Sequence, residues 1–176
     1  VGTRRANTKN HVREAASAGH EIASHGYAHR LVYTMTPSEF RDDAVRARLV
    51  LEDVAGRAVS GFRATGFSVT EATPWFFDEL SNAGYRYSSS IFPAPRQHGG
   101  LRTDRWAPHR VPAAAGSVVE FPASVTSVVG RPVYLFGGGY LRLFPYALVR
   151  TMARRVLADG RPVVFYVHPR EIDPAA

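Results

Sequence analysis

Four segments of this 176-residue chain repeat one order, in which a helical stretch ends at a glycine and a short apolar or β-branched run follows at once. The four runs are residues 20–23, 59–62, 85–89 and 163–167. A helix that ends at glycine and leads directly into a strand is typical of βα units. The repeat therefore predicts an α/β fold built on a parallel sheet or barrel.

The helix predicted over residues 37–55 has the clearest boundaries. Thr36 can cap it, and Glu39 completes a capping box with Thr36. Pro37 suits the first helical position and Gly56 ends the helix. The other three helices each end at a glycine and are expected at residues 9–18, 73–82 and 145–158.

Residues 94–143 have a different composition, rich in proline, glycine and arginine. This composition predicts a loop-rich insertion in a single domain that covers residues 1–176. One pair of strands is expected there, between residues 118–121 and 133–136. No helix of the phosphate-loop kind is expected directly after the three glycines at 137–139, so we do not predict a nucleotide site there.

Composition excludes several classes of function. The formal net charge is +7, but Lys9 is the only lysine and the arginines are scattered. Scattered charge favours a solvated surface, so we expect no nucleic-acid partner. No apolar run reaches the roughly 20 residues that a membrane helix needs, and we expect no membrane span. The absence of cysteine excludes disulfides, thiolate ligands and a cysteine nucleophile, and leaves the cytoplasm and the periplasm of a bacterium both open.

Three histidines fall where predicted strands end, and functional residues of βα folds lie at the carboxyl ends of strands. His25 and His29 are four residues apart, so one helical turn after the strand would direct both imidazoles at one point. Zinc favours imidazole nitrogen, but a hydrolytic site generally has three protein ligands. No nearby residue is an obvious third ligand. A metal site and a pair of polar loop histidines are both possible from spacing alone.

His168 and Arg63 follow two other predicted strands. His168 comes after the run 163–167, which we expect to be a fully buried strand. Imidazole exchanges protons near neutral pH, so His168 could be a general acid or base, or could only cap the edge of the core. Arg63 could orient a carboxylate through a bidentate pair, or join a surface ion pair. Tyr140 follows the three glycines, which permit close approach of a ligand.

Four motifs occur in order along the chain: GHEIASHGYAH at 19–29, GFRA at 61–64, YSSSIFP at 87–93 and FYVHPREID at 165–173. Together they resemble the polysaccharide deacetylase family (carbohydrate esterase family 4), and most closely its bacterial branch linked to exopolysaccharide loci. The resemblance implies a distorted (β/α) barrel. It also implies an enzyme that removes N-acetyl groups from amino sugars of a polysaccharide or oligosaccharide, in exopolysaccharide or cell-envelope metabolism.

The resemblance implies a role for each candidate residue. His25 and His29 would bind a divalent metal, usually zinc, together with an aspartate from an earlier motif. His168 would protonate the departing amine, and Arg63 would position the catalytic base. The backbone N–H of Gly66 would complete the oxyanion hole. Two aromatic residues are expected to contact the substrate, Phe67 and Tyr140.

The chain departs from the family pattern in three places. It lacks the Asp-Asp pair of the first motif, Thr65 stands where proline is usual, and Ser88 stands where relatives of this branch carry aspartate. We therefore expect an N-terminally truncated chain that lacks the first strand or strands of the barrel and is inactive alone. The aspartates on predicted helices are poor substitutes for the missing pair: Asp42, Asp43, Asp53 and Asp78.

Two other interpretations are consistent with these motifs. A carbohydrate-binding pseudoenzyme would keep the barrel and its groove without the chemistry. A small-molecule amidase of the same superfamily would act on ureides or similar linear amides.

Overall fold

The computed structural model describes residues 2–94, 99–128, 130–168 and 171. Its described part is a mixed α/β structure. The helices are α1 (Gly2–Ser17), α2 (Pro37–Ala55), α3 (Phe76–Asn82), α4 (Gly138–Leu143) and α5 (Tyr146–Ala158), with short 3-10 turns at Val32–Thr34 and Thr65–Phe67. The strands are β1 (Gly61–Phe62), β2 (Tyr87–Ser88), β3 (His109–Ala113), β4 (Gly116–Glu120), β5 (Thr126–Val128) and β6 (Arg131–Val133).

Helix α2 has the boundaries that its sequence predicts. The Glu39 N–H donates to the Thr36 side chain at 3.3 Å, and the Thr36 N–H donates to the Glu39 carboxylate at 2.8 Å, so the capping box is confirmed. Gly56 ends the helix in the left-handed region at φ 66°. The apolar stripe is buried at four positions: Phe40, Ala44, Ala47 and Val54.

Two other helices begin away from their predicted positions. Helix α1 begins at Gly2 rather than near Lys9. Helix α3 begins at Phe76 rather than at Thr73, because the Thr70 N–H and the Thr73 hydroxyl close a separate turn at 3.0 Å before the helix. Helix α5 begins within one residue of its predicted start.

The predicted parallel pairing is confirmed for the runs 59–62 and 85–89, which contain β1 and β2, and the third parallel strand, β4, lies outside the four predicted runs. The order in the sheet is β1-β2-β4-β3, in which β1, β2 and β4 are parallel and β3 is antiparallel to β4. Beyond β1, Ser24 forms a parallel bridge with Phe62. Phe62 pairs with Ser88 and Ser88 pairs with Glu120, so these chain segments end at one edge of the sheet. Pairing among the described residues does not close into a barrel.

Strand pairing in the region 94–143 differs from the prediction. Residues 118–121 do not pair with 133–136; β4 pairs with β3, and β6 pairs with β5. The reason is local, because residues 114 and 115 form a tight turn and Gly116, at φ 117°, begins the return strand. Local hairpins close at a lower entropy cost than the longer connection that the sequence pattern favours.

One further expectation about the second half of the chain is wrong. Residues 163–167 are not a fully buried strand: Tyr166 makes an isolated parallel bridge with Gly137, and Phe165 and Val167 are 47% and 39% exposed. A short helix that the sequence analysis did not predict, α4, begins within the three glycines, at Gly138.

Apolar clusters hold the helices on the strands. In the largest cluster, Phe40 of α2 packs edge-on against Phe62 of β1, with ring centroids 5.6 Å apart. Phe40 also packs against Phe76 of α3 in a tilted arrangement, with ring centroids 5.3 Å apart. In a second, Val149, Met152 and Val156 of α5 pack against Leu135 and Phe136. The strand ends are therefore fixed by buried side chains. In the described residues, none of the helices has the length and apolarity needed to cross a membrane.

Candidate functional site

A cavity of about 410 Å3 lies beside the ends of the parallel strands. Three residues that the sequence singles out, His25, Arg63 and His168, line it together. The other lining residues are Ala23, Ser24, Phe62, Tyr87, Ser89, Tyr166 and Val167. Candidate residues that are up to 143 positions apart in the sequence therefore share one wall.

The histidine pair lies on a bend and not on the helical turn that its spacing predicts. The chain reverses at Gly26, with φ 83°, and at His29, which has a left-handed φ of 54°. The imidazole rings of His25 and His29 still lie next to each other in an edge-to-face arrangement, with centroids 5.2 Å apart and planes at 71°. The two rings are therefore close together, on a backbone that differs from the predicted one.

One hydrogen bond fixes the tautomer of His25. Its Nδ1 lies 2.7 Å from the carbonyl oxygen of Arg63. Because a carbonyl can only accept, Nδ1 donates, and Nε2 of the neutral ring keeps its lone pair. Burial lowers the pKa of His25 below its usual value, the Arg63 carbonyl opposes this, and the nearby His29, Arg63 and His168 lower it further. His25 thus has the state of a metal-ligating imidazole.

Two contacts that sequence reasoning missed hold this bend. The Asp43 carboxylate of α2 accepts hydrogen bonds from the backbone N–H groups of Tyr27 and Ala28. The Thr65 hydroxyl donates to the His25 carbonyl at 3.1 Å, a bond that the usual proline could not make. No sequence signal separates Asp43 from its exposed neighbour Asp42.

Arg63 is held by a serine and by two aromatic rings. Its Nε donates to the Ser89 carbonyl at 3.1 Å, and its Nη2 donates to the Ser89 hydroxyl at 2.8 Å. The guanidinium carbon lies 5.6 Å from the ring centroid of Phe67 and 5.4 Å from that of Tyr166. Burial lowers the pKa of Arg63, while the group stays cationic at neutral pH. Its orientation is therefore fixed before any ligand arrives.

A buried carboxyl supports the turn that carries Ser89. Glu120, at 0% exposure, accepts hydrogen bonds at Oε1 from the Ser90 N–H at 2.9 Å and the Ile91 N–H at 2.8 Å. Burial raises the pKa of Glu120, and the Ser88 hydroxyl and these two N–H groups oppose the rise. The Ser90 hydroxyl also accepts from the Ala64 N–H, next to Arg63. Through Ser90, Glu120 therefore stabilises the backbone next to Arg63, a role that the sequence did not suggest.

His168 has an aromatic and an acidic neighbour. Its Nε2 lies 2.8 Å from the Tyr166 hydroxyl. Glu171 accepts from the His168 backbone N–H at 2.7 Å, and the same carboxylate oxygen lies 3.5 Å from Nδ1, an ion-pair distance and too long for a good hydrogen bond. The acidic neighbour of His168 is thus Glu171, from the same motif, whereas position 88, where relatives carry aspartate, holds a serine. The other motif residues after His168, at 169–170 and 172–173, lie outside the described residues.

The remaining predicted site residues, His29, Gly66, Phe67 and Tyr140, are not among the described lining residues of this cavity. Gly66 and Phe67 follow Arg63 with left-handed φ values of 63° and 53°. Among the described residues, Phe67 and His29 alone combine a side chain with a positive φ, and such strain is concentrated at functional sites. Tyr140 is 43% exposed and, with Phe67, lines a second cavity of about 570 Å3, which shares Tyr166 with the first.

The described residues do not complete a metal site. Among these residues, no three or more His, Cys, Asp or Glu side chains lie close enough together to hold a metal ion. The two imidazoles suit zinc as partial ligands, and a further donor is needed.

Two family models and one curated relative match parts of the chain. The polysaccharide deacetylase family model matches residues 1–88, and a domain of unknown function, DUF3473, matches residues 89–176. A peptidoglycan deacetylase of Helicobacter pylori (strain ATCC 700392 / 26695) is 29% identical over 80 residues, which cover 42% of this chain and 24% of that protein.

Solved structures show the same fold. A crystal structure described as a polysaccharide deacetylase from Mycobacterium smegmatis has a TM-score of 0.63 and 26% identity, over 92% of this chain and 54% of that one. A crystal structure of the Puue allantoinase has a TM-score of 0.60 and 16% identity, over 93% of this chain and 53% of that one, and shows the fold alone.

The chain spans about half the length of these structures and about a quarter of the Helicobacter pylori protein. The candidate residues come from both matched halves, with His25, His29 and Arg63 in the first and His168 in the second. Since the family model matches one half of the chain, over residues 1–88, the chain belongs to the polysaccharide deacetylase family.

Proposed function

We propose that this chain carries the metal-binding and proton-transfer residues of a hydrolase that removes N-acetyl groups from amino sugars of a polysaccharide. The observation that supports this most is the shared cavity, which His25, Arg63 and His168 line together. Imidazole, guanidinium and a second imidazole within one cavity match what hydrolysis of an uncharged amide requires. Membership of the family supports the same reaction.

His25 and His29 would hold a divalent metal, zinc being the ion that two imidazoles suit best. Their rings are in edge-to-face contact, and the Arg63 carbonyl leaves Nε2 of His25 available. When bound, the metal supplies positive charge beside the amide carbonyl and the attacking water. A carboxylate from outside the described residues would complete its ligands, because the described residues offer no third donor in reach.

The protein's own residues would divide the rest of the chemistry. Water adds to the carbonyl carbon, the C–N bond breaks, acetate leaves, and the amine nitrogen takes a proton. His168 would deliver that proton, held in place by the Tyr166 hydroxyl and by Glu171. Arg63 would orient the catalytic base, and the Gly66 N–H would stabilise the negative charge that develops on the carbonyl oxygen. Phe67 and Tyr140 would contact the sugar.

The finer points of the assignment are also proposals. The fold would be the distorted (β/α) barrel of the family, with one or more strands and the aspartate pair on a segment beyond these 176 residues. Support comes from Ser24, which in the described structure pairs with Phe62 on one side. The substrate would be an exopolysaccharide or envelope glycan of a bacterium.

The test is acetate release from oligomers of N-acetylated amino sugars by the full-length protein. We expect release to stop when chelator removes the metal and to return when zinc is added. A carbohydrate-binding pseudoenzyme is the second candidate, because the described lining of the cavity includes no carboxylate. Binding of the oligomers without acetate release, with zinc present, would support the pseudoenzyme and refute the hydrolase.

A further inference from the structure

We propose that Asp43 is a positioning residue for the two metal-binding histidines, which it keeps at the separation that one ion requires. The inference rests on the proposed metal site at His25 and His29. Asp43 itself would not touch the metal. Its carboxylate would act through the backbone between the two histidines.

The contacts of Asp43 are matched to that backbone. Its Oδ2 accepts from the Tyr27 N–H at 2.8 Å, and its Oδ1 accepts from the Ala28 N–H at 2.9 Å. Each oxygen therefore takes one of two consecutive N–H groups, and both groups lie between His25 and His29. Hydrogen bonds from N–H groups to a carboxylate are charge-assisted and stronger than neutral ones. One side chain thus fixes the middle of the loop at two points.

The loop has a conformation that needs such support. His29 has a left-handed φ of 54°, which residues with a side chain rarely adopt. Gly26 has a φ of 83°, and a Cβ atom there would lie 3.2 Å from Asp43 Oδ2. The loop therefore passes directly over the carboxylate. Without these two bonds, the left-handed His29 would lose a constraint that holds it there.

Helix α2 gives Asp43 a rigid base. The neighbouring Phe40 and Ala44 are 1% and 0% exposed, so this face of the helix is packed in the main core. One turn further along, the Arg46 guanidinium lies 3.9 Å from the ring centroid of Tyr27. The loop is thus attached to α2 through two side chains of the helix. A ligand pair held by a packed helix is better ordered for binding than one on a free loop.

The exposed Asp42 gives a matched control on the same helix. Zinc binding to the metal-free full-length protein is measured by isothermal titration calorimetry for wild type, Asp43→Asn and Asp42→Asn. Asparagine has the same shape but a single acceptor oxygen, so it can keep one of the two bonds. We expect Asp43→Asn to weaken zinc binding about 10- to 100-fold, the usual effect of residues that orient metal ligands. Asp42→Asn should bind zinc like wild type.

Amide hydrogen exchange of the metal-free proteins gives a second measurement. The Tyr27 and Ala28 amides should exchange faster in Asp43→Asn, while those of α5 keep their rates. If Asp43→Asn does not fold, Asp43→Glu takes its place, because it keeps both oxygens but moves them by one methylene. Wild-type zinc affinity in whichever of these variants folds would overturn the role of Asp43 and leave the metal site standing. Failure of the wild type to bind zinc would overturn the metal site and this role with it.

Discussion

Replacement of Glu120 gives the sharpest test of the support behind Arg63. The Glu120 carboxyl is fully buried, and its Oε1 accepts both the Ser90 and the Ile91 N–H groups. Glu120→Gln keeps an acceptor oxygen in that place and puts an amide NH2 group in place of Oε2. Glu120→Ala removes the acceptor and leaves both N–H groups buried.

The expected loss in the free energy of unfolding differs widely between the two variants. Each buried N–H group left without an acceptor costs about 1–3 kcal/mol. Two such groups and the cavity left by the side chain should lower the free energy of unfolding of Glu120→Ala by about 3–6 kcal/mol. Glu120→Gln should lie within about 1 kcal/mol of wild type near pH 5.

The pH dependence follows from the raised pKa of Glu120. Its folded value lies above the usual 4.5 because burial opposes ionisation. The protonated form is then favoured in the folded state, and its contribution to stability is present below about pH 4.5 and is lost as the pH rises through the folded pKa. Glutamine does not titrate. Relative to wild type, Glu120→Gln should therefore gain stability as the pH rises and level off above that pKa.

Urea denaturation of the three proteins at a series of pH values measures these differences. The account of Glu120 is refuted if Glu120→Ala is as stable as Glu120→Gln. It is also refuted if the stability of Glu120→Gln relative to wild type stays constant or falls as the pH increases.

Three further substitutions test other parts of the site and fold. His168→Ala should lower kcat for acetate release by about 100- to 10,000-fold while the zinc content stays at the wild-type level. Arg63→Lys should lower kcat/KM by up to about 100-fold, because a single ammonium cannot span the Ser89 carbonyl and hydroxyl as the guanidinium does; wild-type kinetics would refute its positioning role. Thr36→Ala should lower the free energy of unfolding by about 1 kcal/mol in urea denaturation, since the cap bond to the Glu39 N–H is lost.

Local sequence signals predicted the features that depend on neighbouring residues. The capping box at Thr36 and the stop at Gly56 define α2 because both act within one turn of the chain. The meeting of His25, Arg63 and His168 was predictable from strand ends, because parallel strands finish at one edge of a sheet. The capping pattern of the helix and the position of each residue after a predicted strand were sufficient to predict these features.

Contacts of individual side chains with distant segments of the backbone, and the pairing of the later strands, were not predictable. Asp43 and Glu120 contact backbone N–H groups 15 to 30 residues away, and no local pattern distinguishes them from other acidic residues. The pairing of β4 with β3 was also missed, because strand patterns give no register. The bend at His25–His29 replaced the expected helical turn because Asp43 and Thr65 bind its backbone.

Anomalous diffraction at the zinc edge, from zinc-soaked crystals of the full-length protein, tests the proposed metal site most directly. We predict an anomalous peak between the rings of His25 and His29, in contact with Nε2 of His25. No peak between these rings, or a zinc ion bound elsewhere while both rings stay free of metal, would contradict it.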